Sequence, residues 1–186
     1  MDKIPTMFVR DPQNMNRVTP EVTPGCEWVL AGEGVATRKW DGTNVRVTTG
    51  WGRLIHVEKR RNPSREEKAS GAEPGYVLAS RSDPSDKHIF AAVDATDYSS
   101  WPSGEWSCEA LGPKIQGGRE GVPPSLLAFS LPSFVAESGV AVVPRDFSNL
   151  GNFLGACGWE GIVWHHPDGR MAKIKARDFG HRRIAW

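Results

Sequence analysis

Apolar and polar residues along this chain mostly exchange at every second position, the spacing of half-buried strands. The pattern predicts short strands at Gly34–Thr37, Val45–Thr48 and Leu54–Glu58, another at Glu105–Ala110 ended by Gly112-Pro113, and one at Leu126–Phe129. One stretch differs. In Asp146–Gly158, Leu150, Phe153, Leu154 and Cys157 recur at i, i+3, i+4 and i+7, with Asp146 or Ser148 to cap the start and Gly158 to stop it, which predicts a helix. A hairpin follows: Gly161–His165, a turn at Pro167-Asp168-Gly169, then Met171–Ala176. In its second strand Ala172, Ile174 and Ala176 share a face suited to a core. Met171, Lys173 and Lys175 share the other, which places two ammonium groups about 7 Å apart along the strand. The polar stretches Arg60–Gly75 and Ser80–Lys87 predict surface loops, the first of them mobile.

A chain of 186 residues with this alternation is expected to form one domain spanning residues 1–186, large enough to fold without disulfides. No apolar run approaches the roughly 20 residues of a bilayer span, and Met1–Arg10 has no apolar signal core. Membrane, secreted and fibrous classes are thereby set aside, and a cytoplasmic protein is expected. Cys26, Cys108 and Cys157 lie far apart, which fits a reducing compartment and small core residues, not Cys-x-x-Cys chemistry.

The net charge of +1 hides an asymmetry. Arg170, Lys173, Lys175, Arg177, Arg182 and Arg183 stand against Asp178 alone in the last stretch, a net +5, while residues 1–169 carry −4. A localised anion site and a solvated basic tail both fit this distribution.

Three segments concentrate chemistry: Lys39-Trp40-Asp41-Gly42-Thr43-Asn44, then Glu109 to Gly117, then Glu160-Gly161-Ile162-Val163-Trp164 with Lys173-Ile174-Lys175 after the hairpin. Lys39 enters a glycine turn, where its amine can approach a ligand with little obstruction. A lysine is a strong nucleophile when neutral, and burial with neighbouring cations such as Lys173 and Lys175 favours that form. The same cations suit a polyphosphate, and a carboxylate such as Glu160 can ligate a hard divalent cation. His165-His166 are adjacent strand residues facing opposite ways, so they do not readily ligate one ion and are expected to be structural. There is no Walker A sequence and no complete dinucleotide fingerprint.

These segments resemble the nucleotidyltransferase motifs of ATP-dependent polynucleotide ligases and mRNA capping enzymes, the K-x-D-G superfamily. The nearest likeness is to the RNA ligase branch, and within it GEGVATRKWDGT, EALGPKIQG and EGIVWHHPDGRMAKIKARDFG resemble the family that includes vertebrate RNA ligase 1. The likeness runs from about Cys26 to Phe179. It implies an α+β nucleotidyltransferase domain, an ATP-grasp-like adenylation domain of antiparallel sheets with flanking helices and ATP in the cleft between them. No OB-fold is expected, since eleven residues follow Lys175.

The resemblance also implies roles. Lys39 would take AMP as a phosphoramidate. Asp41 and Glu160 would help hold Mg2+ or Mn2+, Asn44 would position the ribose or metal waters, and Glu109 would bond the ribose hydroxyls. Lys173 and Lys175 would neutralise the α-phosphate and orient the leaving pyrophosphate. Arg60 and Arg61 compete for a contact to the ribose or to an RNA 5′-phosphate. Phe129 is a candidate for stacking on adenine, although plain core packing fits it better. Where many ligases carry a Glu that reads the adenine amino group, Thr37 and Arg38 stand here, so preference for ATP is inherited from the family. Asp41 and Asn44 also suit a turn for backbone reasons alone.

The expected activity is RNA ligation: lysyl-AMP formation, transfer of AMP to an RNA 5′-phosphate, and sealing by a 3′-hydroxyl. The expected partners are such RNA ends and ATP, with Lys59–Arg61 and the Arg177–Arg183 tail against the nucleic-acid backbone. A partner protein is possible. The alternatives are another nucleotidyltransferase, such as a DNA ligase or a capping-like guanylyltransferase, and a non-catalytic nucleic-acid-binding module.

Overall fold

The computed structural model describes residues 4–182. Along the chain run β1 (Phe8–Asp11), β2 (Asn14–Val22), α1 (Glu27–Leu30), β3 (Val35–Lys39), β4 (Thr43–Gly50), β5 (Arg53–Arg61), α2 (Arg65–Ala69) and β6 (Gly75–Leu78). Then come α3 (Lys87–Asp94), β7 (Gly104–Leu111), β8 (Ser125–Leu127), α4 (Pro132–Ser138), α5 (Phe147–Cys157), β9 (Gly161–His165) and β10 (Met171–Lys175), with short 3-10 turns between some of them. Among the described residues the strands pair antiparallel, in sheets of order β1-β2, β10-β9-β3 and β6-β5-β4-β7-β8, and Thr6 adds a single parallel bridge to Lys173 of β10. The fold is α+β, with mostly antiparallel sheets and few helices.

The described residues divide into two compact units, the first built from residues 4–40 and 135–182, the second from Asp41–Phe134. In the first unit, alternation along β3, β9 and β10 sends Ala36, Ile162, Trp164, Ala172 and Ile174 into a core completed by Leu150 and Leu154 of α5 and by Met7 and Phe8. Helix α5 forms where its periodicity predicts. Asp146 caps it by accepting from the Asn149 amide, and Gly158 ends it in the left-handed region at φ 68°.

The second unit folds around the five-stranded sheet, whose Val45, Val47, Val57, Cys108 and Ala110 pack with Ile89, Ala92 and Val93 of α3. That helix was not expected from the polar run Ser80–Lys87 that precedes it. The stretch Arg60–Gly75 is also more ordered than a loop. Ser64 and Glu67 form a reciprocal capping box that starts α2, and β6 begins at Gly75.

Candidate active site

In the first unit, β9 is the central strand, and its first residue, Gly161, pairs with Lys39 on one side and Lys175 on the other. All three therefore share a sheet face, with Thr37, Val163 and Lys173 in the next row and the apolar core behind. Glu160, immediately before β9, takes a hydrogen bond from each flanking lysine: Lys39 Nζ to Oε2 and Lys175 Nζ to Oε1, each at 2.5 Å. The three side chains are mostly shielded, with 20 %, 14 % and 19 % exposure for Lys39, Glu160 and Lys175. Burial by itself would raise the Glu160 carboxyl. The positive charges and hydrogen bonds of Lys39 and Lys175 outweigh it and hold the carboxyl below its ordinary value.

The sequence reading placed Glu160 on a divalent cation beside the cations Lys173 and Lys175; in the structure its carboxylate is instead shared by Lys39 and Lys175. Lys175 is fixed from below as well. Asp178 is buried, accepts the Lys175 backbone amide at 2.9 Å and pairs with Arg10 at 2.7 Å. Asp178 escaped the sequence reading because its value depends on Arg10, 168 positions away; the signal available was its i, i+3 spacing from Lys175.

Thr37 is buried, its hydroxyl 3.0 Å from His165 Nε2 and 3.3 Å from the Val163 carbonyl. Burial keeps the His165 imidazole below its ordinary pKa. His166 turns elsewhere, to Glu33 at 2.8 Å and Asp168 at 2.7 Å, which accords with a structural reading of the histidine pair.

In the second unit, Asp41 and Gly42 lead into β4. Its Asn44 pairs with Glu109 on β7, and Glu109 with Leu127 on β8. The β4–β5 register, set by Arg46 opposite Glu58, brings Arg60 to the level of Asn44, and Arg60 pairs with Tyr76 on β6. One row on one face thus carries Tyr76, Arg60, Asn44 and Glu109. Glu109 Oε1 accepts the Gly42 amide at 3.0 Å, and Gln116 donates to the Gly42 carbonyl at 3.1 Å. Gly42 is required by space: a Cβ there would lie 2.3 Å from the Ala110 carbonyl oxygen. The Asp41 amide donates to Glu120, and its carboxylate is 3.8 Å from Arg119.

The two competing arginines separate clearly. Arg60 stands in the row with Asn44 and Glu109, whereas Arg61 is tied to Glu67 of α2 at 2.5 Å. Lys59 does not belong with them. It occupies the opposite face, where it pairs at 2.5 Å with the buried Asp86 and at 3.3 Å with Asp83, anchoring the turn before α3. Phe129 is half-buried just beyond β8, its amide bonded to the Leu127 carbonyl at 3.1 Å.

The basic end of the chain is dispersed. Arg170 donates from Nε to Asp168 Oδ2 at 2.7 Å, Arg177 and Arg182 are exposed, and Arg183 lies outside the described residues. Cys26 and Cys108 are buried, one in each core, and burial pushes the Cys108 thiol up to about 12, as expected for inert packing residues. Among the described residues no three His, Cys, Asp or Glu side chains form a group able to hold a metal ion. No helix among them is long and apolar enough to cross a membrane.

No protein-family model matches the chain, and no curated protein matches it either.

Proposed function

We propose that the chain is a nucleotidyltransferase of the RNA ligase type, in which Lys39 takes AMP from ATP, passes it to an RNA 5′-phosphate and leaves a 3′-hydroxyl to seal the strand. The observation that carries this reading is the shared carboxylate: Lys39 and Lys175 converge on Glu160 in a mostly shielded site on one sheet face.

The chemistry follows from the charges. Lys39 Nζ attacks the α-phosphorus, the bond from that phosphorus to the pyrophosphate oxygen breaks, and a phosphoramidate remains on the lysine. The amine must shed a proton before its lone pair is available, and Glu160 Oε2 is a carboxylate oxygen within hydrogen-bond reach of it. Lys175 stays behind as a fixed ammonium group for the negative charge that develops on the phosphate oxygens.

The residues present do not form a ready-made cation site. Both Glu160 oxygens are engaged by ammonium groups, and Asp41 faces Arg119. Mg2+ or Mn2+ would therefore have to be carried by the triphosphate itself, where it would supply neutralisation of the phosphate charge.

The row of Arg60, Asn44 and Glu109 supplies a guanidinium, an amide and a carboxylate, groups suited to ribose hydroxyls and a terminal phosphate.

Mass spectrometry after incubation with ATP and Mg2+ tests the reading. One AMP on Lys39, removed again by pyrophosphate, is expected, together with sealing of a 5′-phosphorylated RNA. An unmodified chain would overturn the transferase assignment. A GMP adduct instead, or an adduct without sealing, would favour a capping-like enzyme.

A further inference from the structure

The Asn44 carboxamide is held at both ends, and one holder reaches it from the edge of the sheet. Nδ2 donates to the Cys108 carbonyl on β7 at 3.1 Å. Oδ1 accepts from the Tyr76 hydroxyl at 2.7 Å, although Tyr76 lies on β6, two strands and about 9–10 Å of backbone away across β5.

The tyrosine is itself clamped. The Arg46 guanidinium sits 4.8 Å from the centre of its ring, and Arg46 is fixed by a fork to Glu58, at 2.6 and 2.9 Å. A side chain that merely filled the sheet surface would need none of this. An amide can turn about its last bond and exchange donor for acceptor. Cys108 accepts from the nitrogen while Tyr76 donates to the oxygen, so together they fix one orientation. Once both bonds are made, Asn44 keeps one N–H and one oxygen lone pair.

We infer that Tyr76 is a positioning residue for nucleotidyl transfer: it locks the Asn44 amide so that its remaining N–H is presented to the nucleotide. The inference rests on the transferase reading above and adds to it a residue outside the three sequence segments that define the site. Tyr76 touches no reacting atom and acts through Asn44.

A double-mutant cycle on the rate of AMP attachment to Lys39 tests it. Tyr76→Phe keeps the ring under Arg46 and removes the hydroxyl. Its maximal rate should fall about tenfold, the effect of roughly 1.4 kcal/mol. The ATP concentration for half-maximal rate should move less than about twofold, and the unfolding midpoint should stay put. Asn44→Ala should lose more, and adding Tyr76→Phe to it should cost nothing further, because the residue that Tyr76 positions is gone. Wild-type rates in Tyr76→Phe, or losses that multiply in the double variant, overturn the inference while leaving the transferase reading intact. A wild-type chain that forms no adduct overturns the transferase reading first, and this inference with it.

Discussion

Lys39 and Lys175 stand level with each other on either side of Gly161, and one carboxylate, that of Glu160, accepts a hydrogen bond from each. Their strands both pair with β9, so the two Cα atoms are about 9–10 Å apart, and the long side chains close that gap. Two ammonium groups brought together in a shielded place repel each other. Glu160 cancels that repulsion by accepting from both.

This arrangement separates the chemistry of Lys39 from its charge. Lys39→Arg keeps a cation beside Glu160 and should leave the stability within about 0.5 kcal/mol, yet it should abolish AMP attachment. Glu160→Gln removes the negative charge between two lysines and should lower stability by about 2–3 kcal/mol in urea unfolding, with loss of adduct formation of about 100-fold or more. The carboxyl is held below its ordinary value of 4.5, so its stabilisation is complete above that value. It is lost as the pH falls through the lower folded-state value. The Gln variant should lack that segment of the acid-unfolding curve, and an unchanged acid limb would contradict the ion-pair account.

Arg60 and Arg61 are neighbours in sequence and lie on opposite faces of β5. The Arg61–Glu67 pair is exposed, and such pairs contribute less than about 1 kcal/mol. Arg61→Ala should therefore stay within about twofold of wild type in transfer of AMP to a 5′-phosphorylated RNA. Arg60→Ala should lose at least about tenfold in that transfer without loss of fold. Equal losses for the two variants would remove Arg60 from the proposed site.

How much of this was written legibly in the chain depends on the range of the interaction. Helix α5 and the β9–β10 hairpin were readable because their apolar periods and turn residues are local, and the alternation of Lys173 and Lys175 against Ala172 and Ile174 carried straight into the sheet. The hairpin of β1 and β2 was missed: most of β2 is polar and exposed, and the alternation it lacks was the signal in use. Helix α3 was missed although Ile89, Ala92 and Val93 carry helical spacing, because Pro and Asp residues just before it read as loop. The capping box of Ser64 and Glu67 lay in plain view inside a stretch judged by its polarity alone. Contacts such as Asp178 with Arg10 and Tyr76 with Asn44 join distant strands, and no local pattern encodes them.

Gly42 and Gly161 sit inside the motifs that suggested function, and both are also demanded by space. A Cβ at Gly161 would come 2.0 Å from the Ile174 carbonyl oxygen, and one at Gly42 would come 2.3 Å from that of Ala110. The obstacle in each case is sheet backbone, which cannot swing aside as a side chain can. Gly161→Ala and Gly42→Ala should each lower unfolding free energy by about 2–3 kcal/mol. Gly169 in the β9–β10 turn meets no atom within 4 Å, but its φ of +91° is costly for any other residue. Gly169→Ala should therefore lose less, about 1 kcal/mol. A reversal of that order would show that turn conformation, not close approach, dominates in this chain.

His165 ties the same sheet face to pH. Its Nε2 is 3.0 Å from the hydroxyl of the buried Thr37, and burial holds its pKa below the ordinary 6.5. Between 6.5 and that lower value the unfolded chain carries a proton on His165 that the folded chain does not. Stability therefore rises with pH across this window and is lost as the pH falls through it, the sense opposite to that of a histidine held by an acidic partner. Unfolding free energies measured from about pH 7.5 down to about pH 5.5 should show this fall in the wild type. His165→Gln can bond to Thr37 and does not titrate, so its curve should be flatter across the same range, while parallel curves would place the pH dependence on other groups.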